Sequence, residues 1–185
     1  MDEFRKYLDM SGHLEKNIPY TDTHRVIADV YRSMLPAGSS YYLTQFSLKK
    51  GSNIYGLIFG SGNLAGIGKF LEVLWKVDPE RGEANFDIDG DQLPSKAGDI
   101  PDLFKDNSRS KKVALFQERL SKKLLEGGFG SDRDVFVYAL ESGFIPTLHA
   151  KEVVIDLIRE GALRCDGQPR LSKICIKNPR ALWLN

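Results

Sequence analysis

Three stretches of helical apolar periodicity, each closed by glycine, constrain this chain more than any other feature. From Ser108 the residues Val113, Phe116, Leu120 and Leu124 return at helical spacing, and Gly127-Gly128 ends the run. Ser131-Asp132-Arg133-Asp134 has the spacing of a capping box ahead of Val135, Phe136, Ala139 and Leu140, and Gly143 closes that helix. Phe144-Ile145-Pro146 leaves room only for a short turn. Thr147 then stands where an N-cap belongs for a third helix ending at Gly161. Rods with one apolar stripe and short connections bury those stripes against one another, so the segment predicts a three-helix unit.

Beyond Gly161, Ala162 to Cys165 and Leu171 to Ile176 have strand character around the turn Asp166-Gly167-Gln168-Pro169-Arg170, which predicts a hairpin. Three helices followed by a hairpin predict a winged helix-turn-helix domain over residues 108–185. Cys165 and Cys175 flank the turn, and a hairpin centred there does not set them opposite each other. Both read as reduced thiols, and two cysteines without a histidine pattern are too few for structural zinc.

The first hundred residues read differently. Asp22 or Thr23 can cap a helix whose stripe is Val26, Ile27, Val30, Tyr31 and Met34, stopped by Pro36-Ala37-Gly38. Tyr41 to Leu48 and Ile54 to Phe59, separated by Lys49-Lys50-Gly51-Ser52-Asn53, predict a β-hairpin. A Gly-rich loop, Gly60 to Gly66, then leads into a helix with Phe70, Leu71, Leu74 and Trp75 on one side, ended by Pro79. Residues 85–101 mix Asp, Gly and Pro so densely that they read as irregular structure or linker, with the boundary between Gly90 and Asn107. The expected fold class is α+β: a small α/β unit with a β-hairpin and flanking helices over residues 1–100, followed by the winged helix over 108–185.

Two motifs fail on inspection. Gly60-x-Gly62-x-x-Ala65 follows a strand and opens a helix as a dinucleotide fingerprint does, but its strand is the second member of a hairpin. Asp87-Ile88-Asp89-Gly90-Asp91 alternates like calcium ligands, but Gln92 and Gly98 stand where the loop needs glycine and a bidentate acid. His13, His24 and His149 show no metal or nucleophile spacing. No catalytic residue, cofactor or metal site is assigned.

Charge separates the halves. The formal net charge of +1 hides 14 Lys and Arg against 9 Asp and Glu from residue 108 onward, and 12 against 16 before it. A basic unit joined to an acidic one suits phosphate binding at one end. Projected as an ideal helix, the third rod turns Ala150, Val153, Val154, Leu157 and Ile158 inward. Its outward face carries His149, Glu152, Asp156, Arg159 and Glu160, poor company for phosphates. Cations gather instead at Lys112, Arg119, Lys122 and Lys123 on the first rod, and at Arg164, Arg170, Lys173, Lys177 and Arg180 in and after the wing. The candidate nucleic-acid contacts are Lys112, Arg119, Lys123, His149, Arg164, Arg170, Lys173 and Lys177, gripping backbone rather than reading bases.

Two segments together resemble the three-Cys-motif partner protein family. One runs from Tyr55-Gly56-Leu57-Ile58-Phe59-Gly60-Ser61 through Gly66-Ile67-Gly68-Lys69-Phe70-Leu71-Glu72-Val73-Leu74-Trp75-Lys76-Val77-Asp78, and the other is the winged helix. The resemblance covers roughly residues 20 to 176 and implies the end of a methyltransferase-like α/β domain followed by a winged helix. The S-adenosylmethionine site of such proteins lies in earlier strands, and no acidic-Gly-x-Gly motif occurs near Met1, so no catalytic residue is carried over. Three functions follow as expectations: a non-catalytic nucleic-acid-binding or adaptor subunit that contacts DNA or RNA and a protein partner; a protein-interaction subunit that binds no nucleic acid; or a fragment completing a split S-adenosylmethionine-dependent methyltransferase. No apolar run approaches the roughly 20 residues that span a bilayer, and no signal peptide is evident, so no membrane association and a cytoplasmic location are expected. Oligomeric state stays open.

Overall fold

The computed structural model of the chain describes residues 23–50, 53–77 and 111–185. They form an α+β arrangement. In chain order come α1 (Thr23–Ser33), β1 (Tyr42–Lys50), β2 (Asn53–Ser61), α2 (Leu64–Val77), α3 (Lys111–Leu125) and α4 (Asp132–Glu141). A π-helical turn (Pro146–Ala150) then runs into α5 (Lys151–Arg159), followed by β3 (Leu163–Cys165), α6 (Lys173–Lys177) and β4 (Leu182–Leu184). Both two-stranded sheets, β1 with β2 and β3 with β4, are antiparallel.

The glycine punctuation works as expected. Gly127, Gly143 and Gly161 have φ of 73°, 88° and 76°, a region that costs an L side chain but not glycine. In each case the next amide reaches back to the last turn: Gly128 to Lys123 O, Phe144 to Ala139 O and Ala162 to Leu157 O, all at 2.9 Å. Helices α3, α4 and α5 therefore end on the same glycine-dependent cap. At the start of α4, Ser131 Oγ accepts from the Asp134 amide at 3.3 Å, and the Asp134 carboxylate accepts from Gly130 N–H at 3.2 Å.

Three expectations are corrected. Residues 171–176 do not form the second wing strand. Ser172 accepts from the Ile174 amide and starts the short helix α6, while Leu163 to Cys165 pair with Leu182 to Leu184 further along the chain. Leu171 and Cys175 are both buried, so the segment contributes to the core through a loop residue and a short helix instead of a strand face. The third rod begins at Pro146 rather than after Thr147, since Ile145 occupies the cap position and proline suits a first turn that needs no amide. Tyr31 on α1 and Met34 just beyond it are exposed. Arg32, which shares a face with buried Ala28, turns toward the rest of the molecule because its guanidinium has acceptors there. The Gly90 to Asn107 boundary, the Asp87 to Asp91 run, His13 and the side chain of His24 lie outside the described residues.

The elements before residue 78 and after residue 110 share one core. Phe46 of β1 and Ile67, Leu71 and Trp75 of α2 belong to the same buried cluster as Phe116, Leu120, Leu140, Phe144, Ala150 and Val154. Trp75 meets Phe46 edge-on at 5.9 Å and Phe144 at 5.8 Å. The junction is also polar, at the C-terminal end of α4, where helical carbonyls lack intrahelical donors. Thr44 Oγ1 donates to Leu140 O at 2.6 Å, Arg32 to Glu141 O at 2.7 Å, and Trp75 Nε1 to Gly143 O at 2.9 Å.

Gly143 is where this junction is least tolerant, because a Cβ there would lie 2.5 Å from Gln45 O as well as forcing positive φ on a side chain. Gly143→Ala should lower stability by roughly 2–4 kcal/mol, read as a depressed thermal midpoint. An unchanged midpoint would mean β1 does not press on the end of α4.

Candidate nucleic-acid interface

A groove of about 580 Å³ opens between the start of the third rod and the segment joining β3 to β4. Thr147 and Lys151 form one wall; Gly167, Gln168, Pro169, Arg170, Leu171, Ser172 and Arg180 form the other. Three of these residues are cationic and none is acidic. Glu152, Asp156 and Glu160, the acids that spoke against this rod, do not line it, and Asp156 pairs with Arg159 at 2.8 Å.

The second wall is fixed from below by Asp132 at the first position of α4, fully buried. Its Oδ1 accepts from Arg180 N–H at 2.8 Å and its Oδ2 from Arg170 N–H at 3.0 Å, while its own amide donates to Arg180 O at 2.9 Å. A buried carboxylate without donors would be costly; two backbone amides and the N-terminal end of α4 compensate it. The Arg180 guanidinium folds back to donate to Gln168 O and lies over Gly167, where an added Cβ would come within 2.8 Å.

The candidate residues read from sequence separate. Arg170 lines the groove. Arg164 is exposed on β3 opposite Trp183 of β4, and Lys173 and Lys177 are exposed on α6. Arg119 is exposed on α3, and Lys123 Nζ lies 4.5 Å from the Tyr138 ring centre and 5.3 Å from that of Phe129, a cation–π site between α3 and α4. Lys112 belongs to the first turn of α3, and its side chain lies outside the described residues. Lys151 was absent from the sequence-derived set. Its signal was the i,i+4 relation to Thr147, hidden by counting the acids of the whole outward face.

His149, half-buried, does not turn outward as an ideal helical projection expects. Its ring packs against Trp75 at 4.5 Å and Phe144 at 5.6 Å, and Nδ1 accepts from the Ile145 amide at 3.0 Å. The π-helical turn explains the error: its bonding reaches five residues along, with Lys151 N–H donating to Pro146 O, so an ideal 100° projection misplaces residues before Ala150. Burial holds the imidazole pKa down to about 4, and protonating Nδ1 would set a donor against a donor. Elsewhere Cys165 and Cys175 are free, with burial raising the Cys175 thiol to about 11. Burial also raises the Glu141 carboxyl against the opposing pull of Arg32.

No described group of three His, Cys, Asp or Glu residues could hold a metal ion, and no described helix is long and apolar enough to cross a membrane. The loop after β2 closes on itself: Asn63 Oδ1 accepts from the Ala65 amide, Asn63 N–H donates to Ser61 Oγ, and β2 pairs antiparallel with β1. That is a helix cap on a hairpin strand, unlike the parallel strand of a dinucleotide site. Comparison with protein-family models, characterised proteins and solved structures gives no match to this chain.

His149 supplies a pH prediction. Its folded pKa lies below the unfolded 6.5, so the unfolded chain binds more protons between about 6.5 and 4. Its contribution is fully present above pH 6.5 and is lost as pH falls through that window, by about 3 kcal/mol at most. His149→Asn, which keeps a side-chain acceptor but does not titrate, should flatten the fall of the thermal midpoint between pH 7 and 4.5. Parallel profiles for the two proteins would place the titration elsewhere.

Proposed function

We propose that residues 111–185 form a winged helix whose groove between the third rod and the wing grips nucleic-acid phosphates, and that the chain is a non-catalytic nucleic-acid-binding or adaptor subunit. The observation that carries this reading is the groove itself, with Lys151, Arg170 and Arg180 on its walls and no acid among them. Three helices with β3 and β4 as the flap support the winged-helix assignment, with α6 inserted between the flap strands. The acids of α5 disfavour deep insertion of its whole outward face into a major groove. Backbone contact by its first turn and the wing avoids that repulsion and gives sequence-tolerant binding.

A protein-binding function is the second reading. Trp183, Leu184 and Ile174 are exposed, and exposed aromatic and aliphatic side chains suit a protein partner. The resemblance to three-Cys-motif partner proteins fits an adaptor that also docks a protein through the α1 to α2 portion; completion of a split methyltransferase would be tested by calorimetric titration with S-adenosylmethionine.

Salt dependence separates the first two readings. With about four phosphate contacts, oligonucleotide affinity should fall roughly a hundredfold between about 50 and 200 mM salt. Lys151→Ala with Arg170→Ala should weaken binding alike for unrelated sequences, measured by fluorescence anisotropy. Absence of binding by the unaltered protein at low salt would leave the protein-binding reading in its place.

A further inference from the structure

Only one charged side chain among the described residues is fully buried, and it lies directly beneath the groove. Asp132 holds the Arg170 amide through Oδ2 and the Arg180 amide through Oδ1, so a single carboxylate pins both ends of the eleven-residue segment from Arg170 to Arg180. Those two arginines are the cations that this segment contributes to the groove. The N-cap of α4 is Ser131, whose Oγ accepts from the Asp134 amide, whereas both oxygens of Asp132 accept from amides of the β3–β4 connection. The carboxylate is therefore spent on the wing segment.

We propose that the groove is a preformed site for the phosphate group of a phosphate ester, and that Asp132 is its positioning residue. The inference rests on the nucleic-acid reading for the source of that phosphate, but the chemistry is that of the groove. Holding the two backbones fixes where the guanidinium groups start, so less ordering entropy is lost when an anion binds. Arg180 is restrained further by Gln168 O and by its position over Gly167. Lys151 approaches from the opposite wall as a point charge, while the planar arginine forks suit paired phosphate oxygens. Hydroxyls of Thr147 and Ser172 border the same space. The negative charge of Asp132 also eases the repulsion among three cations before a ligand arrives, and because it is engaged by backbone amides it does not occupy the guanidinium groups.

The test uses the full chain with fluorescein-labelled single-stranded and duplex oligonucleotides. Asp132→Asn keeps the shape but turns an amide NH2 toward one of the two backbone donors. It should weaken binding about tenfold, through lost preorganisation of the two arginines. It should also flatten the salt slope by about 0.7 for each single-strand phosphate contact released, a change that lowered stability alone would not produce. Arg180→Lys leaves the backbone amide on Asp132 but removes the fork held at Gln168 O, and should shift affinity and slope in the same direction, which keeps the test decisive if Asp132→Asn does not fold. Unchanged affinity and slope in the folded variants would overturn the positioning role and leave the nucleic-acid reading standing. If the unaltered chain binds neither oligonucleotide, titration with inorganic phosphate decides: amide shifts at Arg170 and Arg180 would support a site for small phosphate ligands, and their absence would overturn both proposals.

Discussion

The C-terminal end of α4 is the point on which the two parts of this chain depend. A helix ends with carbonyls that its own amides cannot reach, carrying a partial negative charge. Here donors from far away in sequence add to the local ones: Thr44 donates to Leu140 O, which Gly143 N–H also reaches at 3.1 Å, Arg32 to Glu141 O, and Trp75 to Gly143 O just past the helix. Arg32 also donates to Leu43 O and Gln45 Oε1, tying α1 to β1 as it reaches α4. A two-stranded hairpin is marginal alone, so β1 and β2 gain their stability from α1, α2 and this helix end.

Asp132 at one end of α4 and Thr44 at the other side of the core are the two buried polar residues among those described. Each satisfies backbone groups rather than pairing with a charged side chain. Thr44 tethers the hairpin to the end of α4, and Asp132 tethers the segment joining β3 to β4 to its start. A ten-residue helix thus ties the hairpin at one end and the β3–β4 connection at the other, and the groove inherits its geometry from this arrangement. The aromatic cluster of Trp75, Phe144 and His149 extends the same junction into the third rod and commits an imidazole to packing.

Local chemistry was legible where one residue's backbone preference settled the outcome. The caps at Gly127, Gly143 and Gly161, the Ser131 start of α4 and the β1–β2 hairpin all follow from rules acting over a few residues. Residues 171–176 misled because a short apolar run is ambiguous between strand and helix, and the true partner of β3 lies beyond Pro179. His149 misled for a different reason: a π-helical turn carries no clear signature in side-chain pattern, yet it rotates every residue before it.

By itself, the sequence determined the α+β composition, the three amphipathic rods, their stops and an excess of cations in the second half, because propensity, periodicity and charge are properties of neighbours along the chain. Only tertiary structure decided which cations share a groove, that Asp132 is buried beneath them, and that Arg32, Thr44 and Trp75 cap a helix about a hundred residues away or less. Such pairings depend on donors and acceptors meeting across the fold, and no local pattern encodes that meeting.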